Sequence, residues 1–301
     1  RKFKRFALSG RFDPYSNGGV NRRKSILFRD LSAFKFALPP LAEQRAIAEV
    51  LGSVEAAIAK TEALIAALVN AKNEILEDRL QASSDRGWKT SRLRDVATIR
   101  TGISKSKERK LKNPLSVPYL RVANVQDGYL DLAEIKTLLI ERDQLERYSL
   151  RKGDVLFNEG GDFDKLGRGC VWNGEISPCV HQNHVFAVRC KPALKPEFLA
   201  LLAASRKGKA YFRLSSKQTT NLASINTSDL RSFPVLLPEV NEQIEIAAIA
   251  KTFDERIAAE KASLAFVNQS RTALAQELLS GRIRLPDSLI SRHRGKTGQA
   301  A

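Results

Sequence analysis

The sequence predicts an α+β chain: mixed α/β segments carried by two long coiled-coil helices. Three observations predict it. One stretch occurs twice, a heptad seam follows each copy, and positive charge collects outside those helices.

LPPLAEQRAIAEVL begins at Leu38 and LPEVNEQIEIAAIA begins at Leu237, 199 positions later. The offset holds without a gap through the segments that follow, and it reaches back to Asp30-Leu31 and Asp229-Leu230. Repetition at a fixed offset outranks other signals, because it sets the architecture. Pro39 and Pro238 suit the start of a helix, where a missing N–H costs nothing. Glu43 and Glu242 meet the positive end of the helix dipole in the first turns.

The apolar seam then alternates steps of four and three. It runs Ile47, Leu51, Val54, Ile58, Thr61, Ile65, Leu68, Lys72, Ile75 in the first copy. In the second it runs Ile246, Ala250, Phe253, Ile257, Glu260, Leu264, Val267, Arg271, Leu274. Such a seam buries against another helix. Polar residues interrupt both copies at the same steps, Thr61 with Glu260 and Lys72 with Arg271, so the copies are expected to fix each other's register. Each helix of about 38 residues would be roughly 57 Å long. Two unrelated surface helices would not share the offset, the LP…EQ starts and the interruptions.

The net charge is +17, unevenly spread. Residues 1–37 carry +8, residues 38–88 carry −3, residues 89–236 carry +11 and residues 237–301 carry +1. Basic segments beside near-neutral helices are the footprint of nucleic-acid-binding domains on a neutral spacer. No run of about 18 apolar residues exists, so no membrane span is expected. Cys170, Cys179 and Cys190 form no CxxC pair, and an odd count without a disulfide framework fits a reducing cytosol.

Taken in order, residues 1–37 read as the end of a domain. A second unit starting at Trp88 implies that roughly 110 residues of a first unit precede Arg1, on the fixed repeat offset. A turn-rich stretch there leads to Arg22-Arg23-Lys24, a basic triplet that is either a phosphate contact or a solvated loop. Residues 38–87 hold the first helix and a polar linker.

Residues 88–236 form the mixed domain. Leu93, Val96 and Ile99 have helical spacing, ended by Gly102. Lys105, Lys107, Arg109, Lys110 and Lys112 make a basic loop, a candidate for phosphate contact. Val117 to Leu132 reads as a β-hairpin turning at Asp127-Gly128. Leu150 to Trp172 gives a strand, a Gly-rich loop and a second strand. His181 to Cys190 is another strand, and Leu194 to Phe212 is one helix with Phe198, Leu201 and Leu202 on one face. A polar segment, Ser215 to Leu230, feeds the strand FPVLLP. Residues 237–285 hold the second helix, and residues 286–301 are expected to be a disordered tail.

LPPLAEQRAIAEVL with its long heptad helix resembles the central conserved region of type I restriction–modification specificity subunits. W…RLRDVATIRTG, VPYLRVANVQDG, LRKGDVLFNEGG, QNHVFAVR and LPEVNEQ resemble that family's second target-recognition domain and distal conserved region. The resemblance spans essentially the whole chain. It implies a non-catalytic subunit in which two target-recognition domains each read half of a split double-stranded DNA site. It also implies that the two long helices pair antiparallel and set the spacing. Methyltransferase subunits carrying S-adenosylmethionine dock on them, restriction subunits join, and ATP and magnesium belong to those partners. No cofactor is expected on this chain, and the setting is cytoplasmic.

The residues themselves leave little for catalysis. NPLSVPY (Asn113 to Tyr119) lacks the adjacent prolines of an adenine methyltransferase loop, and FNEGGDF lacks the glycine spacing of a methyl-donor turn. Asp154, Glu159, Asp162 and Asp164 cluster as metal nucleolysis would need, but in a turn-like setting. Cys179, His181 and His184 lack a fourth zinc ligand at a usual spacing. A self-sufficient methyltransferase or nuclease with degenerate motifs remains the alternative, and a structural coiled-coil adaptor a third.

DNA reading is better supplied. Asn and Gln pair with adenine edges, and Arg and Lys with guanine. Gln182, Asn183 and His184 stand at a strand start, where loop hydrogen bonding is the competing role. Lys217, Gln218, Thr219, Thr220 and Asn221 pack donors and acceptors together. Lys165 and Arg168 flank the Gly-rich loop, where backbone can approach phosphate closely. Arg121 and Asn124 are also polar, with a structural role in the hairpin as their alternative.

Overall fold

The computed structural model describes residues 16–17, 25–32, 38–81, 87–104, 111–161, 166–218 and 223–295. By their contacts they divide into two compact units, residues 1–66 with 258–301, and residues 67–257. Two long helices, α2 (Leu41–Gln81) and α8 (Val240–Ser280), contribute to both.

The smaller unit opens with strands β1 (Ser16–Asn17) and β2 (Ser25–Ile26), paired antiparallel, and a short helix α1 (Phe28–Ser32). Its core lies between the helices. Ile47 and Leu51 of α2 pack with Leu278 of α8, joined by Leu274, Ala275, Leu279 and Leu285. Glu55 faces Arg271 at 3.8 Å. Partners therefore descend α8 as they ascend α2, an antiparallel pairing. The tail differs from the sequence expectation. Residues 282–295 continue as α9 (Asp287–Ile290) and a 3-10 turn, Ser291–His293, and residues 296–301 of the expected tail lie outside the described residues. Ile290 is buried, His293 bonds Glu49 at 2.7 Å, and Arg284 grips Glu43 through two nitrogens, one at 3.0 Å. A few apolar and ionic contacts order a segment whose composition alone reads as a tail.

The larger unit is the mixed domain with the other halves of α2 and α8. In chain order it holds β3 (Lys89–Arg92), α3 (Leu93–Val96), β4 (Ala97–Thr101), β5 (Pro114–Leu120), β6 (Lys136–Glu141) and α4 (Gln144–Tyr148). Then come β7 (Asp154–Asn158), β8 (Gly160–Gly161), β9 (Gly169–Val171), β10 (Val180–His181) and β11 (Val185–Cys190). Helices α5 (Pro196–Ala204) and α6 (Arg206–Ser215), strands β12 (Lys217–Gln218) and β13 (Ala223–Ser224), α7 (Thr227–Arg231) and β14 (Pro234–Leu237) complete it.

The central sheet has the order β4-β11-β7-β9, all antiparallel. Alternation sorts its side chains. One face sends Val155, Phe157, Phe186 and Val188 against Phe198 and Leu202 of α5 and Phe212 of α6. Phe212 and Phe233 stack at 5.0 Å. The other face buries Leu156, Cys170 and Ala187 with Trp172, Leu120 and Val125. A third cluster, Val117, Tyr119, Ile140 and Val180, lies under the sheet β10-β5-β6. Leu76 and Leu80 of α2, with Ile246 and Ala250 of α8, join the first core. Lys72 lies 2.6 Å from Asp254, so the helices are antiparallel here too. Lys72 and Arg271 are repeat equivalents, as are Asp254 and Glu55, so one ion pair recurs in each unit.

Several local expectations are corrected. The seam of α2 ends at Leu76 and Leu80, whereas Ile75 is exposed. An α-helix drifts about 20° per heptad against a 3.5 repeat, and here the face turns toward the domain core. The other seam positions, Val54, Ile58, Ile65, Leu68, Phe253, Ile257, Leu264 and Val267 among them, are buried or half-buried. Leu93 and Val96 occupy a single helical turn, and Ile99 belongs to strand β4. The residues read as one hairpin from Val117 to Leu132 form β5 and an irregular connection. That connection keeps only an isolated bridge, Val125 to Leu130, and the true partner of β5 is β6. Asn124 holds the connection shut. Its amide accepts from Arg121 N and donates to the carbonyls of Asp131 and Glu134. The strand from His181 to Cys190 is interrupted by a turn at Gln182–His184. The single helix expected from Leu194 to Phe212 breaks at Ser205, whose hydroxyl caps α6 by accepting from Gly208 N at 3.1 Å.

Candidate nucleic-acid interface

Strands β7 and β11 lie side by side, and at one end both run into polar turns. Beyond β7 come Glu159 and then β8, and before β11 come Gln182, Asn183 and His184. Backbone bonds lock the two turns together. Glu159 N donates to His184 O, and Val185 N donates to Gln182 O, both at 2.9 Å. The Glu159 carboxylate hydrogen-bonds His184 Nδ1, and the Asn183 amide reaches His184 Nε2 at 3.2 Å. Gln182 N donates to Leu120 O, Asn183 N to Ile103 O, and Ile103 N to His181 O. That approach needs Gly102: a Cβ there would lie 2.0 Å from His181 O. Ile225 N donates to Glu159 O, and β8 pairs with β13, which pairs with β12. The close approach at Gly160, where a Cβ would lie 2.7 Å from Ala223 O, brings Lys217 to the same rim.

Arg168 completes that edge. Its Nη1 donates to Gln126 Oε1 at 3.1 Å, and its carbonyl accepts from Asn158 N. Beneath, Asn158 is buried, donates to Val125 O at 2.9 Å, and leaves its Oδ1 without a partner. Lys209 pairs with Asp127 at 2.9 Å in the neighbouring turn.

His181 supports the rim from below. It is buried, and its Nδ1–H donates to Val185 O at 2.7 Å. Burial pushes its pKa down to about 4, so it stays neutral at ordinary pH. The three thiols are pushed up to about 12 by burial and are inert.

The structure thus brings Gln182, Asn183, His184, Arg168 and Lys217 to one edge. Lys112 is exposed at the opposite end of β5, positioned by its own N–H on Glu141 and separated by about 20 Å of strand. Arg22, Arg23, Lys24, Lys105, Lys107, Arg109, Lys110, Lys165, Thr219, Thr220 and Asn221 lie outside the described residues, as does the side chain of Gln218.

Among the described residues of the metal and zinc groupings, the Asp154 carboxylate turns to Arg189, the Glu159 carboxylate to His184, and the buried Cys179 thiol to the Val180 carbonyl, while Asp162 and Asp164 lie outside the described residues. Glu159, Gln126 and Lys209 were missed as rim residues, because only strand pairing brings them there. Glu159 adjoining the Gly160-Gly161 pair was the one available signal.

Amide, imidazole, carboxylate and guanidinium groups together match the edges of bases: Asn to adenine, Glu to cytosine N4, Arg to guanine. Among the described residues no helix is long and apolar enough to cross a membrane.

A protein fold of this kind, a mixed sheet domain seated on two antiparallel helices, has known counterparts. The type I restriction modification DNA specificity domain matches residues 85–269. The chain is 24% identical over 196 residues to a putative type I restriction enzyme MjaX specificity subunit of Methanocaldococcus jannaschii, covering 64% of this chain and 45% of that protein. It is 27% identical over 275 residues to the type I restriction enzyme EcoKI specificity subunit of Escherichia coli K12, covering 82% of this chain and 57% of that protein. Its fold is also similar to the crystal structure of a type I restriction-modification S subunit from M. genitalium. The TM-score is 0.51 at 16% identity, over 92% of this chain and 72% of that one. The chain spans about half the length of the curated relatives it matches. It belongs to the type I restriction modification DNA specificity domain family.

Proposed function

We propose that this chain is a non-catalytic DNA-reading subunit of a type I restriction–modification complex, and that residues 88–236 read one part of a two-part duplex target. The rim built by Gln182, Asn183, His184 and Glu159 carries the proposal. It offers directional hydrogen-bonding groups on rigid strand ends, in a segment of charge +11. Base edges are chosen by such groups, while lysines and arginines of the surrounding loops position the phosphates. Methyltransferase subunits dock along α2 and α8, where Leu64 and Phe266 leave apolar side chains exposed. S-adenosylmethionine, ATP and magnesium reside on the methyltransferase and restriction partners in the cytoplasm.

The test is co-expression with the methyltransferase subunit, followed by mapping of methylated adenines. Asn183→Ala with His184→Ala shifts or relaxes the methylated sequence at one part of the target. Lys→Ala changes within residues 105–112 weaken binding to all duplexes and flatten its salt dependence. An unchanged methylation map together with unchanged salt slopes overturns the assignment.

A further inference from the structure

The rim holds three side chains joined end to end. The Glu159 carboxylate meets His184 Nδ1, and His184 Nε2 lies 3.2 Å from the Asn183 side-chain nitrogen. Chemistry gives each link a direction. A carboxylate has no proton to give, so Nδ1–H donates to Glu159. A carboxamide nitrogen only donates, so Nε2 is bare and accepts from Asn183. Glu159 thereby selects one of the two imidazole tautomers, and the tautomer selects which end of the carboxamide turns inward.

The backbone beneath leaves this chain of bonds little freedom. Glu159 N donates to His184 O at 2.9 Å, Ile225 N donates to Glu159 O at 2.8 Å, and Asn183 N donates to Ile103 O at 3.1 Å. Strand-end bonds thus hold the main chain of all three residues, and side-chain rotation is what remains. Glu159 and Asn183 are half-buried and His184 is exposed, so the links run along the surface. A duplex seated there displaces water from them and strengthens them.

One N–H of Asn183 is committed to His184, which leaves its oxygen and its other N–H without a partner among the described residues. That is one acceptor and one donor. Adenine shows the complement on its major-groove edge, the N6 donor and the N7 acceptor. Under the opposite tautomer Nε2–H would claim the Asn183 oxygen, and the carboxamide would offer donors alone. Guanine suits that arrangement, because its edge shows two acceptors. We infer that Glu159 and His184 are positioning residues that act through Asn183, fixing its carboxamide to read adenine. This rests on the reading that residues 88–236 bind DNA, and it assigns Glu159 to the imidazole rather than to a base.

Two measurements test the relay. The chain has three histidines, so NMR of the imidazole nitrogens in the full chain, above neutral pH, isolates the His184 ring. It is expected as the Nδ1–H tautomer. Glu159→Ala releases that tautomer, and Glu159→Lys, which puts a donor in place of the acceptor, forces the proton to Nε2. The second measurement is the methylation map from co-expression with the methyltransferase subunit. Asn183→Ala loses roughly 5- to 150-fold of the preference for adenine at one recognised position. Glu159→Ala relaxes that same position by a smaller factor, and Glu159→Lys turns it toward guanine. A wild-type His184 carrying a proton on Nε2 overturns the relay. So do Glu159 variants whose maps match the wild type while Asn183→Ala alters the map, and the DNA reading then stands. If neither Asn183→Ala nor the Glu159 variants alter the map, both fall.

Discussion

The two helix starts are alike in sequence and unlike in surroundings. Gln44 and Gln243 are repeat equivalents, and each donates its amide to a proline carbonyl five residues back, at 2.8 Å to Pro39 and 3.0 Å to Pro238. Gln44 stops there. Gln243 is wholly buried, donates also to Ala193 O, and accepts from Lys195 N. Their glutamate neighbours differ in the same way: Glu242 accepts from the indole of Trp88 at 3.1 Å, whereas Glu43 is held by Arg284 beyond α8. The local motif makes a helix start. What lands on it decides whether it is also a domain anchor.

Substitution of the glutamines tests that contrast most strongly. Gln243→Ala leaves three polar groups unsatisfied and is expected to cost about 3–4 kcal/mol, against about 1 kcal/mol for Gln44→Ala. Urea unfolding of the two variants reads the difference, and equal losses would dissolve the distinction.

A second contrast lies on α2 itself. Leu76→Ala, in the domain core, is expected to cost about 3 kcal/mol, and the exposed neighbour Ile75→Ala about 1 kcal/mol or less. A reversed order would restore the strict heptad seam.

Burial separates two histidines in the same way within one turn. The unfolded chain protonates His181 near its ordinary pKa of 6.5, but the folded chain protonates it only near 4. Its contribution is complete above about pH 6.5 and falls by roughly 3 kcal/mol as pH drops through 4. His181→Gln should flatten unfolding free energy between pH 7 and 4, and an unaltered pH profile would contradict the buried assignment.

The smallest effect belongs to the recurring ion pairs. Lys72–Asp254 and Arg271–Glu55 are each partly exposed, so double-mutant cycles should give about 0.5 kcal/mol or less per pair. A coupling of several kcal/mol would make these pairs the main determinants of register.

Some of the site was legible before the fold. Gln182, Asn183 and His184 stood out because polar residues interrupt an apolar strand, and they do form a turn at a strand end. Asp127-Gly128 correctly marked a turn, yet the inferred hairpin failed. Turn chemistry is local, whereas β5 takes its partner β6 from beyond the connection. Ile99 matched a helical period with Leu93 and Val96 by coincidence of spacing, and its strand state follows from pairing with Val188 of β11.

The sequence by itself determined the repeat, the two helices, their shared seam and the separation of charge. These depend on periodicity and composition, which each segment carries within itself. Only the tertiary structure decided that Glu159 meets His184, that Arg189 grips Asp154, and that Gln243 is buried where Gln44 is not. Each of those depends on strand register or on packing between distant segments, and no residue encodes its distant neighbours alone.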